Sequence, residues 1–277
     1  MIFTDKCLAR RLEAAGAATN VDEAVTHAQL RPENGATVMP VAGGFAVFSG
    51  VDSPLTQAVG LGMDAPVSEA DVDAMEKFYR ARGAAVNVEV CPLADATLPA
   101  QLMKRGYRFD DFTNTLFQSL PASDDPILNN SEVIVRRVTG EDAEAWSRAV
   151  AVGFVGESSP TLEGLAELGR TTWRMKTAVC WMAEVSGRVA GGGCVLISEG
   201  VALLSGTSVL PEFRSRGIQS ALIRARLVYS AAHGCDIATV GTTPGSSSER
   251  NVQRHGFRVA YTRVKLSKSW QAAKEKF

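Results

Sequence analysis

Residues 209–222 join a predicted strand to a predicted amphipathic helix through a short loop with two arginines and one glycine. The start of a helix leaves about four backbone N–H groups without partners inside the helix, and the helix dipole adds positive charge there. Gly217 lets the backbone approach an anion closely, and Arg214 and Arg216 add donors that suit phosphate. The sequence therefore predicts a pyrophosphate site on the loop from Arg214 to Gln219.

Two better-known phosphate loops are excluded. A P-loop needs Gly-Lys-Ser/Thr, and this triplet does not occur in the chain. Residues 60–65 match the spacing G-x-G-x-x-G/A of a dinucleotide fingerprint. There, Pro66 and Ser68 place the predicted helix start several residues late, whereas the helix of a true fingerprint opens inside the motif. We therefore expect no nucleotide at residues 60–65.

Composition and charge narrow the class of protein. The 277 residues are 45% hydrophobic and 21% charged with a net charge of −1, so we expect neither nucleic acid nor an anionic membrane as a partner. Five cysteines without C-x-x-C spacing and only three histidines predict no metal site and fit a reducing cytosol. Residues 1–11 lack the apolar run of a signal peptide, and residues 36–51 are too short and too interrupted to span a bilayer. We therefore expect a cytoplasmic protein.

Residues 121–130, rich in Pro, Asp and Asn, are predicted to link two domains, residues 1–120 and residues 131–277. The second domain has the later predicted elements in the order strand 201–209, helix 218–232, strand 236–241, helix 248–255 and strand 257–266. The first domain repeats part of this order. Arg105-Gly106-Tyr107-Arg108 and His255-Gly256-Phe257-Arg258 each follow a short helix and open a strand. This repetition indicates an internal duplication.

Residues 209–222 resemble motif A of the GNAT (GCN5-related) N-acetyltransferases, and residues 251–257, which end in Gly256-Phe257, resemble their motif B. The resemblance covers almost all of residues 131–277. It implies the α/β (α+β) class, with a mixed, largely antiparallel twisted sheet flanked by helices. It also implies acetyl-CoA between two parallel strands, here 201–209 and 236–241, and attack on the thioester by a primary amine of a small molecule or peptide.

In the first domain, the loop at residues 63–66 has an acidic residue, Asp64, where phosphate would lie in the family. We therefore interpret the chain as two tandem GNAT-like domains, the first a degenerate copy without a cofactor loop. The expected cofactor contacts all lie in the second domain: Val209, Leu210, Arg214, Ser215, Arg216, Gly217, Ile218, Gln219, Ser220, Ala221 and Asn251. Because Pro211 ends strand pairing, the N–H of Val209 or Leu210 is predicted to polarise the thioester carbonyl.

Two positions depart from the family pattern. Gln219 replaces the last small residue of motif A, and Val252 replaces the tyrosine that many members use as the acid toward the leaving thiolate. Tyr261 is the predicted substitute acid and Glu157 the predicted base. The alternatives are a non-catalytic acetyl-CoA-binding sensor or scaffold, and an enzyme for a longer acyl chain. The chain is expected to act as a monomer or homodimer.

Overall fold

A computed structural model describes the chain over the ranges 3–51, 53–120 and 132–270. The chain divides into two units, one of residues 1–115 together with 259–277 and the other of residues 116–258. The predicted linker, residues 121–130, lies outside the described residues. The units differ from the predicted domains chiefly at the C-terminus, where residues 259–277 group with the N-terminal part of the chain.

Seven helices and eleven strands are found in the described ranges. In chain order they are α1 (Lys6–Leu30), β1 (Thr37–Val41), β2 (Gly44–Phe48), β3 (Gln57–Val59), α2 (Glu69–Arg80), β4 (Val86–Val90), α3 (Thr97–Lys104), β5 (Arg108–Ser119), β6 (Val133–Arg137), α4 (Ala143–Val155), α5 (Leu162–Arg174), β7 (Ala178–Val185), β8 (Arg188–Ser198), β9 (Val201–Val209), α6 (Ile218–Ala232), β10 (Ile237–Thr242), α7 (Ser247–Arg254) and β11 (Arg258–Lys268). β9 and α6 have the bounds that the sequence predicted.

In the first unit the strands lie in the order β1-β2-β3-β4-β11-β5. The pairs β1/β2, β2/β3 and β4/β11 are antiparallel, whereas β3 and β4 are parallel, with Ala58 opposite Val88. Val264 lies opposite Val90 and Leu266 opposite Val88. This pairing is why the C-terminal strand groups with the first unit, although it follows the second unit in sequence.

In the second unit the strands lie in the order β6-β7-β8-β9-β10, and the end of β5 lies next to β10. The pairs β6/β7, β7/β8 and β8/β9 are antiparallel, and β9/β10 is parallel. Helices α4 and α6 both pack on this sheet. The predicted mixed α/β fold, with a largely antiparallel sheet flanked by helices, is therefore confirmed.

The two faces of this sheet are separated by the alternation of side chains along β7. Cys180 and Met182 belong to the apolar cluster that contains Trp146 of α4. Their neighbour Trp181 belongs instead to the cluster that contains Leu222 of α6. Because successive side chains of a strand point to opposite faces, α4 and α6 cover opposite faces of the sheet.

Helix α1 was not predicted from the sequence. Its buried residues include four polar ones, Glu13, Asn20, Glu23 and Thr26. Sequence patterns identify a helix by apolar residues at helical spacing, and these polar positions interrupt that spacing. The buried polar groups are accommodated by specific partners, of which Gln57, which donates to Asn20 at 3.2 Å, is one.

Glu13 organises a buried polar cluster inside the first unit. Its Oε1 atom accepts from the Tyr261 hydroxyl and from Nε of Arg263, each at 2.7 Å. Glu13 is 3% exposed and Tyr261 is 6% exposed. Burial, together with the nearby carboxylate of Glu13, raises the pKa of Tyr261 well above its usual value of 10.0. The tyrosine therefore stays protonated and has its hydroxyl engaged within the first unit.

We predict that Glu13→Ala lowers the free energy of unfolding by about 3 kcal/mol, because it leaves the Arg263 guanidinium and the Tyr261 hydroxyl without their acceptor. Urea unfolding followed by circular dichroism measures the change. The control is Val25→Ala on the same helix, where the side chain is 43% exposed and the expected change is within about 0.5 kcal/mol. Equal losses in both variants would contradict the role given to Glu13.

Candidate functional site

The parallel strands β9 and β10 are paired only at their beginnings. The register joins Val201 to Ile237, Ala202 to Ala238 and Leu203 to Thr239, and both strands continue beyond it, β9 to Val209 and β10 to Thr242. A cleft of about 690 Å³ includes the end of β9. Its lining residues are Gly153, Phe154, Thr207, Ser208, Val209, Phe213, Arg214, Ser215, Gly217, Ile218, Gln219, Ser220, Ser247, Ser248, Asn251 and Arg254.

Helix α6 begins at this cleft with its N-terminal donors uncapped. Gly217 is the N-cap residue with φ +77°, no side chain caps the helix, and the first turn contains no acidic residue. The first intrahelical bond runs from the N–H of Ala221 to the carbonyl of Gly217 at 3.0 Å. The preceding N–H groups and the positive end of the helix dipole are therefore available to an anion in the cleft.

The corresponding helix of the first unit, α2, begins differently. The Ser68 hydroxyl accepts from the N–H of Asp71, and the Asp71 carboxylate accepts from the N–H of Ser68, so the helix is capped by its own side chains. Glu69 and Asp71 also place two negative charges in the first turn. An anion is thus disfavoured at α2 and favoured at α6 by the same electrostatic rule.

Arg214, which lines the cleft, donates hydrogen bonds to two backbone carbonyls. Its Nη2 atom lies 3.1 Å from the Gly153 carbonyl oxygen at the end of α4, and its Nε atom lies 3.4 Å from that of Val209. The guanidinium of Arg216 lies over the ring of Phe213, 5.8 Å from its centre. Arg214 therefore joins the end of α4 to the end of β9 beside the loop that precedes α6.

The strand pairing distinguishes the two predicted amide donors. The N–H of Leu210 donates to the Ala190 carbonyl at 2.9 Å, so it is occupied. Val209 lies opposite Gly191. Because Leu210 is hydrogen-bonded to Ala190, the neighbouring pair of Val209 and Gly191 is a non-hydrogen-bonded position of the antiparallel ladder. The N–H of Val209 therefore faces away from β8. A Cβ on Gly153 would lie 3.2 Å from the Val209 nitrogen and 2.5 Å from Ser208 Oγ, so glycine is needed for this approach of α4 to β9.

The Gln219 side chain lines the cleft and is held by helix α7. Its Oε1 atom accepts from Nδ2 of Asn251 at 2.5 Å. The next residue, Ser220, contacts Nε2 of His255 at 3.0 Å. Burial, with a smaller effect of Arg224, lowers the pKa of His255 below 6.5, so this imidazole is neutral at pH 7. Two side-chain bridges therefore join the beginning of α6 to α7 at the cleft.

The two predicted catalytic side chains are not among the lining residues. Tyr261 belongs to the first unit, where its hydroxyl donates to Glu13. Glu157 is an exposed side chain that forms an ion pair with Arg148. Val252 is 3% exposed and packs in an apolar cluster with Phe257. No carboxylate or imidazole is found among the described residues that line the cleft.

Of the remaining residues predicted to contact the cofactor, some line the cleft and others do not. Ser215, Ile218 and Asn251 line the cleft, whereas Leu210, Arg216 and Ala221 do not. Sequence reasoning missed several lining residues. Phe213 and Arg254 lie within the two motifs, and the others lie outside them: Gly153, Phe154, Thr207, Ser208, Ser247 and Ser248. The serine run 246–248, separated by three residues from the end of β10, was an available signal, because Ser246 caps α7 by accepting from the N–H of Glu249 at 3.1 Å.

Neither a metal site nor a membrane-spanning helix is found in the described ranges. No group of three or more His, Cys, Asp or Glu side chains is placed to hold a metal ion there. None of the helices in those ranges has both the length and the hydropathy that crossing a bilayer requires.

Comparison with known proteins was made for the sequence and for the fold. Residues 149–257 match the family model described as "Acetyltransferase (GNAT) family", and no curated protein sequence matches the chain. The GCN5-related N-acetyltransferase from Kribbella flavida superposes with a TM-score of 0.62 at 16% identity, over 91% of this chain and 96% of that one. A tandem GNAT protein from the clavulanic acid biosynthesis pathway gives 0.58 at 17% identity, over 86% and 83%.

A third solved structure, a GCN5-related N-acetyltransferase from Sphaerobacter thermophilus, gives a TM-score of 0.53 at 16% identity, over 73% of this chain and 67% of that one. At these identities the structures establish the fold, and the family model adds the sequence match. That match contains the cleft, the loop before α6 and all of α7. Residues 149–257 of this chain are therefore similar in sequence to the GNAT acetyltransferase family, and the fold agrees with that similarity.

Proposed function

We propose that the second unit transfers an acetyl group from acetyl-CoA to a primary amine of a small molecule or peptide. The observation that carries this proposal is the uncapped start of α6, with Gly217 in a left-handed conformation, at the open end of the β9/β10 pair. This arrangement offers backbone donors to a pyrophosphate and leaves a gap between two strands for an acyl arm. The family match of residues 149–257 supports the same assignment.

In the proposed complex, the pyrophosphate binds to the backbone N–H groups from Gly217 to Ser220. Arg254, which lines the cleft, contributes positive charge on the side of α7. Arg214 contributes charge as well, although its hydrogen bonds go to the carbonyls of Gly153 and Val209. Gln219 narrows the loop side of the cleft, because Asn251 holds its side chain there.

The acyl group is proposed to lie with its thioester oxygen at the N–H of Val209. The amine nitrogen attacks the thioester carbon, and negative charge develops on the oxygen that this N–H stabilises. The C–S bond then breaks, its electron pair leaves with the sulfur, and the nitrogen gives up its extra proton. Because no carboxylate or imidazole lines the cleft in the described residues, we assign this proton to an ordered water.

The leaving thiolate is proposed to take its proton from water too. Val252 occupies the position where many members of the family have a tyrosine, and it is buried in an apolar cluster. We do not include Tyr261, because its hydroxyl is engaged by Glu13 in the first unit. Glu157 stays an untested candidate for the base, and its ion pair with Arg148 would have to open first.

We further propose that the first unit is a degenerate copy that binds no cofactor. The Ser68–Asp71 capping box and the acidic first turn of α2 support this proposal. One acetyl-CoA per chain is then expected. Action as a monomer or homodimer and a cytoplasmic location remain predictions from the sequence.

Titration calorimetry with acetyl-CoA tests the cofactor site. We expect one site per chain, and Gly217→Val should weaken binding at least about tenfold, because the left-handed conformation strains any L side chain and the loop must shift. The matched control is Gly234→Val at the other end of α6. That glycine has φ +79° and, like Gly217, has open space where its Cβ would be. Similar affinity in the two variants would refute the loop assignment.

Gln219→Ala tests whether the glutamine crowds the phosphate. Alanine restores the small residue of the family motif and releases Asn251, so we expect acetyl-CoA to bind several-fold more tightly, about 1 kcal/mol at most. The same titration measures it, with Asn251→Ala as the partner variant. Weaker binding of the alanine variant would mean that the Gln219 side chain contacts the cofactor.

The transfer itself is tested by release of the CoA thiol, followed with a thiol reagent, across a panel of primary amines that includes polyamines, amino sugars and lysine peptides. We expect release that depends on at least one amine, with formation of its N-acetyl product confirmed by mass spectrometry. Binding of acetyl-CoA without release across the panel would favour a sensor or scaffold, and release with a longer acyl-CoA alone would change the donor.

A further inference from the structure

Arg226 is a charged residue in the core of the second unit. It lies on α6 in line with Ile218, Leu222 and Ser230, at the four-residue spacing of the buried face, and its exposure is 0%. No acidic side chain among the described residues pairs with it. Burial lowers the pKa of Arg226 to about 10, so the guanidinium is still charged at pH 7. A buried charge without a counter-ion is costly, which makes its acceptors informative.

The acceptors of Arg226 are three backbone carbonyls. Nε donates to Leu222 of the same helix at 2.9 Å. Nη1 donates to Cys194 on β8 at 3.0 Å and to Ser205 on β9 at 3.3 Å. One amino group of the guanidinium therefore bridges two neighbouring strands.

The two bridged residues mark one side of a β-bulge. Cys194 lies opposite Ser205, whereas Gly192 lies opposite Ser208, so one residue of β8 faces two residues of β9. A bulge bends its strand and changes the direction of the following residues. The two residues of β9 that face Gly193 are Gly206, which has φ +59°, and Thr207.

Gly193 shows that the guanidinium and the bulge fit closely together. A Cβ on Gly193 would lie 3.0 Å from Thr207 Oγ1, 3.1 Å from Nη1 of Arg226 and 3.2 Å from its Cζ. The residue of β8 that faces the bulge must therefore lack a side chain to admit both groups. Arg226, Gly193 and Thr207 form one contact set behind the strand.

The residues that follow the bulge form the wall of the cleft. Thr207, Ser208 and Val209 line it. Ser208 is also fixed from the other face of the sheet, because its hydroxyl donates to the Val150 carbonyl at 2.8 Å. The direction of the Val209 N–H thus depends on a short segment that Arg226 holds at its beginning.

We propose that Arg226 is a positioning residue, which clamps the bulge in β9 and so aims the Val209 N–H at the thioester carbonyl. This rests on the proposed function of the cleft. The planar guanidinium carries several N–H donors and so reaches the carbonyls of Leu222, Cys194 and Ser205 at once. A lysine ammonium is a single point charge and does not match this geometry. The clamp is separate from the phosphate loop, so it acts on the acyl group and leaves the binding of the CoA phosphates unchanged.

The test compares Arg226→Lys and Arg226→Met with the natural protein, using free CoA and acetyl-CoA as calorimetric probes. We expect the affinity for CoA to change less than about threefold, while the affinity for acetyl-CoA falls by more than the affinity for CoA does. Where an amine supports turnover, kcat should fall by about 10²-fold with little change in KM for acetyl-CoA. The control is Ile223→Ala, a buried apolar neighbour on α6 whose side chain cannot form the hydrogen bonds to Cys194 and Ser205.

Hydrogen exchange of the peptide covering residues 201–210 gives a readout that does not need turnover. We expect faster exchange at Ser205 to Val209 in both Arg226 variants than in Ile223→Ala. An unchanged exchange pattern, or an equal loss of CoA and acetyl-CoA binding, would overturn the clamp and leave Arg226 as a packing residue. A natural protein that binds acetyl-CoA and acetylates no amine would instead refute the proposed function, and the exchange result would still decide the clamp.

Discussion

The cleft of the second unit depends on the short pairing between the parallel strands β9 and β10. Three residue pairs hold these parallel strands together, after which β9 runs on to Val209. Backbone groups of a strand interior normally pair with a neighbouring strand, and here the pairing stops next to the start of a helix. The N–H of Val209 and the first N–H groups of α6 consequently belong to one cleft. The site is therefore built largely from main-chain donors, whose positions are set by the fold.

Because the proposed phosphate site uses main-chain donors, it is sensitive to the residues that cap the helix. In α6, Gly217 supplies the turn and no side chain occupies the free N–H groups. In α2, Ser68 and Asp71 occupy them and bring negative charge. Both helices follow a strand that is parallel to the next one, β9 with β10 and β3 with β4. A few residues at a helix start thus account for the difference between the uncapped start of α6, where we propose that a polyanion binds, and the self-capped start of α2.

The strand, loop and helix from β9 to α6, where we propose that the cofactor binds, could be predicted from the sequence because their determinants are contiguous. Pro211, Gly217 and the apolar spacing of α6 are all local signals, and β9 and α6 have the predicted bounds. The parts that depend on distant residues could not be predicted. Whether Val209 or Leu210 keeps its N–H free depends on Ala190 of β8, which accepts from Leu210. The place of Tyr261 depends on the pairing of β11 with β4, and α1 was missed because Glu13 and Glu23 interrupt its apolar face.

The burial of Arg226 and its role both emerge from the structure. Arg226 shares the four-residue spacing of Leu222 and Ser230 on the buried face of α6. Its role could not be predicted from the sequence, because the carbonyls that accept from it belong to a bulge that only the paired strands reveal. A bulge leaves carbonyls without ladder partners, and those unpaired groups are themselves costly to bury. The buried charge and the irregular strand therefore stabilise each other, and the geometry of the cleft follows from that pairing.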